Sequence, residues 1–496
     1  MTASQVQPPR APKGTRDVLW PESARWERFV ARFAADAGRY GFGLVVSPMF
    51  EDVRVFRRGI GETTELVGKE MYEFTDRGGR TLALRPEGTA SVVRAFVEHR
   101  PPLPWKAWYV TPAFRYERAQ AGRYRQHHQV GVEALGTEDP ELDVEVIALA
   151  YGFVTGLGLR QVTLLVNSMG CRDCRPVYVE ALRSYLDARA ADLCDEHRHR
   201  YRANPLRVLD CKTDACRTVT QDAPRLVDFL DDACAAHFAQ VRSGLDALGI
   251  EHRLAVRLVR GFDYYTRTTF ELASGALEAA QNAVGGGGRY DGLVEQLGGP
   301  PTPGIGFGVG IERTLLACDA EGVFPAPASA LDAFVVDLTG GTAARELLAQ
   351  LRAGGVAADR AYDDRSLKAQ LRLADRSGAA VALIVGAEER AAGSVALRPL
   401  RGGTQRHVPA AEVVAEVRAA IVASQAAAVP ATEVQVAPSQ VAVEQATHEL
   451  ATEGLSTEAL PTEALPTEGP PGAPGGPGGG DPSRGGGGGT SGSGAR

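Results

Sequence analysis

No uninterrupted apolar run in this 496-residue chain reaches the roughly 18 residues that a membrane-spanning helix needs. The stretch from Met1 to Val30 lacks a basic segment followed by an apolar one, so it does not read as a secretory leader. Cysteine is scarce: seven residues, an odd number in so long a chain, argue against a secreted disulfide scaffold. These absences lead us to expect a soluble, cytoplasmic protein with no membrane partner. What is present is ordinary for a globular protein, 44% hydrophobic and 23% charged, and the length suits two to four domains with a sizeable core.

Lysine is also absent from Ile421 onward, where Arg484 and Arg496 are the only cations among eight acidic residues, Glu433 to Asp481. The net charge of -7 therefore sits mostly in this tail, and the preceding body is close to neutral. A neutral body can still carry a basic groove, because phosphate affinity depends on where Lys and Arg cluster. The tail is rich in Ala, Pro and Gly, repeats Leu455-Ser-Thr-Glu-Ala as Leu460-Pro-Thr-Glu-Ala, and offers almost no aromatic residue to bury. Ordering it would cost about 1–2 kcal/mol per residue with little apolar surface in return, so disorder is expected there.

Trp26, Phe29, Val30, Phe33 and Ala37 recur at helical spacing after Pro21 and Glu22, which predicts an amphipathic helix. The run from Gly41 to Ser47 reads as a strand stopped by Pro48. Further on, the buried-type strands Ala333 to Leu338 and Ala380 to Val385 bracket two helical stretches, Ala344 to Ala353 and Ser366 to Asp375, which suggests a small α/β module.

Four segments carry chemistry. Leu84-Arg-Pro-Glu-Gly-Thr89 sets Glu87 and Thr89 around Gly88 before an apolar helix; Glu87 reads equally as an ammonium ligand or as an acidic helix start. Phe114-Arg-Tyr-Glu-Arg118 and Arg123 to Glu133 read as a hairpin with a basic loop. Its second arm puts Gln129, Gly131 and Glu133 on one face, with room above the glycine for a small polar ligand, and Val130 and Val132 on the other. The run Leu258 to Leu272 is dense in polar groups and includes Arg260, Gly261 and the paired rings of Tyr264 and Tyr265. Finally, glycines 304, 306, 308 and 310 alternate with Ile305, Phe307, Val309 and Ile311. One strand face is then core and the other bare, where a flat base or sugar fits beside Arg313.

These segments, in this order, resemble the class II aminoacyl-tRNA synthetases, and Arg260-Gly-Phe-Asp-Tyr-Tyr265 is similar to the signature of the histidine-specific members. The resemblance covers roughly Lys13 to Ala420. It implies an α+β protein: an antiparallel-sheet catalytic domain over residues 1–330 with an inserted helical domain at about 168–252. An α/β anticodon-binding domain over 331–420 and a disordered tail over 421–496 would follow. It implies ATP and Mg²⁺, L-histidine and tRNA(His) as reaction partners, and a homodimer whose interface motif falls near Pro48. Arg115 and Arg260 would stabilise the α-phosphate from two sides, with Arg123, Gly308 and Arg313 completing the ATP site. Glu87, Thr89 and Gln129 would hold the α-amino group, with Gly88 beside them in the histidine site; Glu133, Tyr264 and Tyr265 would read the imidazole. Arg118 and Gln120 would approach the tRNA acceptor end, although Ala119 and Ala121 stand in the loop where the family has proline and often lysine. A catalytically silent relative, the regulatory subunit of ATP phosphoribosyltransferase, is the alternative.

The insertion carries Cys171-x2-Cys174, Cys194-x2-His197 and Cys211-x4-Cys216. Their spacings do not make one standard four-ligand zinc pattern, so reduced, partly buried thiols are expected, and any zinc would be structural.

Overall fold

A computed structural model of the chain describes residues 8–428, except 62, 63, 65, 119, 121, 260, 279–281, 328 and 364. Arg260 and the tail from 429 onward, both singled out above, lie outside the described residues.

The strands, in chain order, begin with β1 (Gly43–Leu44), β2 (Phe50–Asp52), β3 (Glu73–Thr75) and β4 (Thr81–Leu84). The long hairpin β5 (Trp105–Phe114) and β6 (Gln126–Leu135) follows, then β7 (Val162–Ser168), β8 (His252–Leu254), β9 (Thr266–Ser274), β10 (Ala283–Arg289) and β11 (Gly304–Gly310). An eight-stranded sheet runs in the order β1-β5-β6-β11-β10-β9-β7-β8, antiparallel at every pair except the two ends, where β1 joins β5 and β8 joins β7 in parallel. Only two residues of the strand expected over Gly41 to Ser47 pair regularly; beyond one more bond, from Val45 N to Trp108 O, the chain leaves the sheet and Val46 is exposed. β2, β4 and β3 form a separate small sheet.

One face of the large sheet is covered by two helices, Glu22–Arg39 and Pro140–Gly156. The spacing seen in the sequence turns Phe29 and Phe33 inward, where each meets Phe153 edge to face, at 5.0 and 4.9 Å between ring centroids. They pack on Val130, Val132, Ile305, Phe307 and Val309, the apolar half of the alternating strands β6 and β11. The opposite half of those strands is left for the site.

Between Ser168 and Asp231, four helices from Cys174–Asp187 to Asp214–Val219 enclose their own core of Tyr178, Leu182, Leu186 and Val208, while the next helix, Asp232–Ala247, sends Phe238, Val241 and Leu245 into the main core. The cysteine pairs, whose spacings make no standard four-ligand pattern, converge in space. Cys194, His197, Cys211 and Cys216 form one cluster, and Cys171 and Cys174 meet Asp231 and Cys234 in a second, with the ligand atoms of each within 4.8 Å of one another. Spacing along the chain hid this because each cluster draws on separate helix ends brought together by the fold.

After Glu321 comes a five-stranded sheet ordered β13-β12-β14-β15-β16, built from β12 (Ala333–Asp337), β13 (Ala358–Arg360), β14 (Val381–Val385), β15 (Ser394–Pro399) and β16 (Arg406–Pro409). The strand, helix, helix, strand core is as expected; three short strands complete it. The closing helix Val413–Ala428 takes in the first eight residues, 421–428, of the stretch expected to be disordered, and Ile421 packs against the module's core. That helix buries Val413 and Val417 completely, at about 1.5–3 kcal/mol each. A chain ending at Ala428 is therefore expected to unfold at the same temperature as the full chain, whereas one ending at Glu412 unfolds lower. Equal midpoints for the two truncations by calorimetry would contradict this packing.

Candidate active site

The polar face of β6 and β11 forms the floor of a cavity of about 680 Å³, within the range of small-molecule sites. Glu133 lies beneath this floor, fully buried. Its carboxyl accepts from Thr89 Oγ1 at 2.7 Å, Tyr109 OH at 3.2 Å and Tyr290 OH at 2.6 Å. Burial pushes its pKa up to about 8; the Tyr290 and Thr89 hydroxyls pull down, and the nearby Glu87 carboxyl pushes up.

This arrangement corrects two expectations. The room above Gly131 holds no ligand: it is filled by the phenol of Tyr109, which a Cβ there would strike. The glycine stripe of β11 is bare along only half its length. A Cβ at Gly304 would overlap Tyr290 and one at Gly306 would overlap Glu133, whereas at Gly308 it would make only ordinary contact with Gln129, at 3.6 Å. The open platform for a flat group is therefore Gly308 to Gly310.

Glu87 caps the helix Thr89–His99, its oxygens accepting from Thr89 N at 2.6 Å and Ala90 N at 2.8 Å, so the helix-start role is realised. It still lines the cavity, and burial raises its pKa despite those bonds. Gly88, between the two, lines nothing; a side chain there would meet the Tyr109 ring at 2.5 Å. Tyr264 and Tyr265 lie just before β9, both buried, with ring centroids 4.7 Å apart. The Tyr264 hydroxyl has no hydrogen-bond partner among the described residues and belongs to the cavity lining, a polar atom suited to a ligand.

The wall is basic. Arg115 leaves the end of β5, donates from Nε to Pro86 O at 2.9 Å and lies over the Phe262 ring. Arg313, in the first turn of helix Ile311–Glu321, donates to Ala283 O at 3.0 Å; burial, then the charges of Arg123 and Arg115, press its pKa down. Arg123 pairs with Glu117 at 2.8 Å. His127, between these arginines, is driven down to about 3, by burial first and then by Arg115, and is neutral at pH 7. A wall where three guanidinium groups crowd one another favours an anionic ligand.

Residues 14–314 match the family model described as histidyl-tRNA synthetase. The chain belongs to that family. Residues 332–420 match an anticodon-binding domain. The histidine–tRNA ligase of Moorella thermoacetica is 50% identical over 411 residues, covering 81% of this chain and 96% of the relative. That of Desulforudis audaxviator is 50% identical over 414 residues, covering 82% and 98%. Among solved structures, the apo histidyl-tRNA synthetase of S. aureus superposes with a TM-score of 0.69 at 34% identity, covering 82% of this chain and 99% of that one.

Of the residues that the family resemblance assigned, Glu87, Thr89, Arg115, Arg123, Gln129, Tyr264, Tyr265, Gly308 and Arg313 all line the one cavity. Glu133 stands one layer below. Arg118 and Gln120 are exposed at the hairpin end, Arg118 beside Lys13 and Arg125 in a separate hollow. Val259 and Gly261, on either side of Arg260, line the cavity. The sequence reading missed His127, Tyr290, Glu271 and Glu312. Glu312 holds His128 through its backbone N–H at 3.0 Å and its Nδ1 at 2.9 Å. Tyr290 stands two residues past the glycine run Gly285 to Gly288 of β10, which was its only signal.

Glu133 also makes a stability prediction. Its carboxyl keeps its proton in the folded chain up to about pH 8, whereas its ordinary pKa is 4.5, so folding stability is lost as pH rises between those values. Glu133→Gln removes this loss. Its urea midpoint relative to the unaltered chain is expected to climb from pH 5 to pH 8; a pH-independent difference would show that Glu133 is ionised in its pocket.

Proposed function

We infer that this chain is a histidine–tRNA ligase, which joins L-histidine to tRNA(His) through histidyl-adenylate and releases AMP and diphosphate. The observation that carries the reading is the single cavity in which an orphan tyrosine hydroxyl, a polar floor and a basic wall meet, within a family match spanning 14–314.

In the first step an oxygen of the histidine carboxylate attacks the α-phosphorus of ATP and diphosphate leaves. Arg115 faces the α-phosphate and Arg260 the opposite side, planar forks suited to phosphoryl oxygens. The adenine lies on Gly308 to Gly310 with Arg313 against it, and Arg123 serves the phosphates. Glu87, Thr89 and Gln129 hold the α-amino group, while Tyr264 and Tyr265, with Glu133 behind them, read the imidazole. Glu117 and Glu271 also line the cavity, and their carboxylates are the hard oxygen donors that Mg²⁺ prefers. Bound there, Mg²⁺ would offset charge on the departing diphosphate. In the second step a hydroxyl of the terminal ribose of tRNA attacks the activated carbonyl and AMP leaves. Arg118 and Gln120 meet the acceptor end, and the 332–420 domain meets the anticodon.

A homodimer is supported by Leu44, Val46, Met49 and Phe50, apolar side chains left half or more exposed. The chain beside them is held firmly: Arg85, itself buried, donates to Ser47 O, Ser47 Oγ and Pro48 O at 3.0–3.1 Å. No described helix is long and apolar enough to cross a membrane, and we place the enzyme in the cytoplasm, where tRNA is charged. The regulatory-subunit alternative is less well supported, since the anticodon-binding domain is present and Arg115 and Arg313 face one cavity.

Exchange of diphosphate into ATP should depend on histidine and on no other standard amino acid; exchange driven equally by several, or by none, would overturn the reading. Arg260→Ala should lower kcat for adenylate formation about 100- to 1000-fold while KM values move less. Transfer from preformed histidyl-adenylate to tRNA should change little. Equal loss in both steps by rapid-quench assay would make Arg260 a positioning residue.

A further inference from the structure

Six of the seven cysteines fall between 171 and 234, inside the helical insertion, and all six belong to the two convergent clusters; only Cys318 stands apart, buried in the main core. Reduced thiols packed for burial alone would not be expected to gather in fours with a histidine or a carboxylate in each set. In the first cluster, Cys194 Sγ lies 3.2 Å from His197 Nδ1 and 4.0 Å from Cys211 Sγ, and Cys216 Sγ lies 4.0 Å from the same Nδ1. Around tetrahedral zinc, with bonds of roughly 2.3 Å to sulfur and 2.0–2.1 Å to nitrogen, S···S and S···N edges come to about 3.8 and 3.5 Å. The two S···N separations bracket their value, and the S···S separation lies within about 0.2 Å of its own. In the second, Cys171 Sγ and Cys174 Sγ are 3.4 Å apart, far beyond a disulfide bond, and each lies 3.1 Å from Asp231 Oδ2. Cys234, buried at the start of helix Asp232–Ala247, supplies the fourth donor.

The surroundings are those of thiolate ligands. Backbone N–H groups point at the sulfurs: Asp173 N and Cys174 N at Cys171 Sγ, 3.3 and 3.4 Å away; Asp231 N at Cys174 Sγ, 3.2 Å; and Cys194 N at Cys216 Sγ, 3.4 Å. Such bonds fix ligand orientation and spread the negative charge that sulfur carries toward a metal.

We propose that the insertion binds two zinc ions, one held by Cys194, His197, Cys211 and Cys216 and the other by Cys171, Cys174, Asp231 and Cys234. Both sets supply four protein donors, so neither leaves an open position for substrate, and the ions are structural. Each set joins segments that are separate along the chain. The first ties the start of helix Asp195–Arg200 to the turn around Cys211 and to helix Asp214–Val219. The second ties the chain after β7 to the start of helix Asp232–Ala247. The first ion also has a consequence for the cavity. Asp210, Cys211, Lys212 and Arg217 are among its lining residues, so the ion would also hold two cations of the cavity lining in place.

The test is metal analysis of the full chain, purified without chelator, loaded with zinc under reducing conditions and desalted. Two zinc ions per chain are expected, with one lost in Cys211→Ser, one in Cys234→Ser and none in Cys318→Ser. Absence of retained zinc, or full zinc in both cluster variants, overturns the proposal; a single cluster whose variant keeps both ions is not a site. Should the variants fail to fold, cobalt loaded into the unaltered chain decides the matter. Thiolate-to-cobalt charge transfer with intense visible bands of tetrahedral cobalt supports the sites, and weak octahedral bands alone refute them.

Discussion

One buried carboxyl organises the catalytic half of this molecule. Glu133 gathers hydroxyls from the start of helix Thr89–His99, from β5 and from the turn after β10, so its position on β6 fixes four separate segments at one point. Burying an unpartnered carboxyl would cost several kcal/mol, and three hydroxyls are what make the site tolerable. The glycines around it follow from the same constraint. Gly306 gives way to Glu133, and Gly88 and Gly131 give way to Tyr109; a single Cβ at any of the three would displace a member of the network.

Above that network the cavity has electrical polarity. Its floor is acid and hydroxyl, with carboxyls raised by burial, and its wall is guanidinium, where burial and the neighbouring Arg123 and Arg115 press Arg313 down. Both ends are held in states that a zwitterionic amino acid and a polyphosphate would relieve: an ammonium and an imidazole toward the floor, phosphoryl oxygens toward the wall. Because the groups are fixed by backbone carbonyls, as Arg115 is by Pro86 and Arg313 by Ala283, little reorganisation is needed when charge develops.

Much of this was legible in the sequence. Alternation along β6 and β11 separated core from site correctly, because side-chain direction in a strand depends only on parity, and long motifs placed the arginines and tyrosines in one cavity. What the alternation could not show was occupancy. A bare glycine looks the same in sequence whether it faces a ligand or a neighbour's ring, and at Gly131, Gly304 and Gly306 the neighbour wins. Tyr290 and Asp231 escaped for a related reason: each acts on a partner far away in the chain, Glu133 in one case and Cys171 and Cys174 in the other. The strands β13 and β16, three and four residues long, carry too few residues for a period to emerge.

The division of roles between floor and wall depends on the direction in which an adenylate lies along the cavity. The most direct measurement is a crystal structure of the protein with a non-hydrolysable sulfamoyl analogue of histidyl-adenylate. The account predicts the imidazole at the Tyr264 hydroxyl above Glu133, the sulfamoyl group within hydrogen-bond reach of Arg115, and the adenine on Gly308 to Gly310 against Arg313. An analogue bound with its purine among the tyrosines, or outside this cavity, would contradict it.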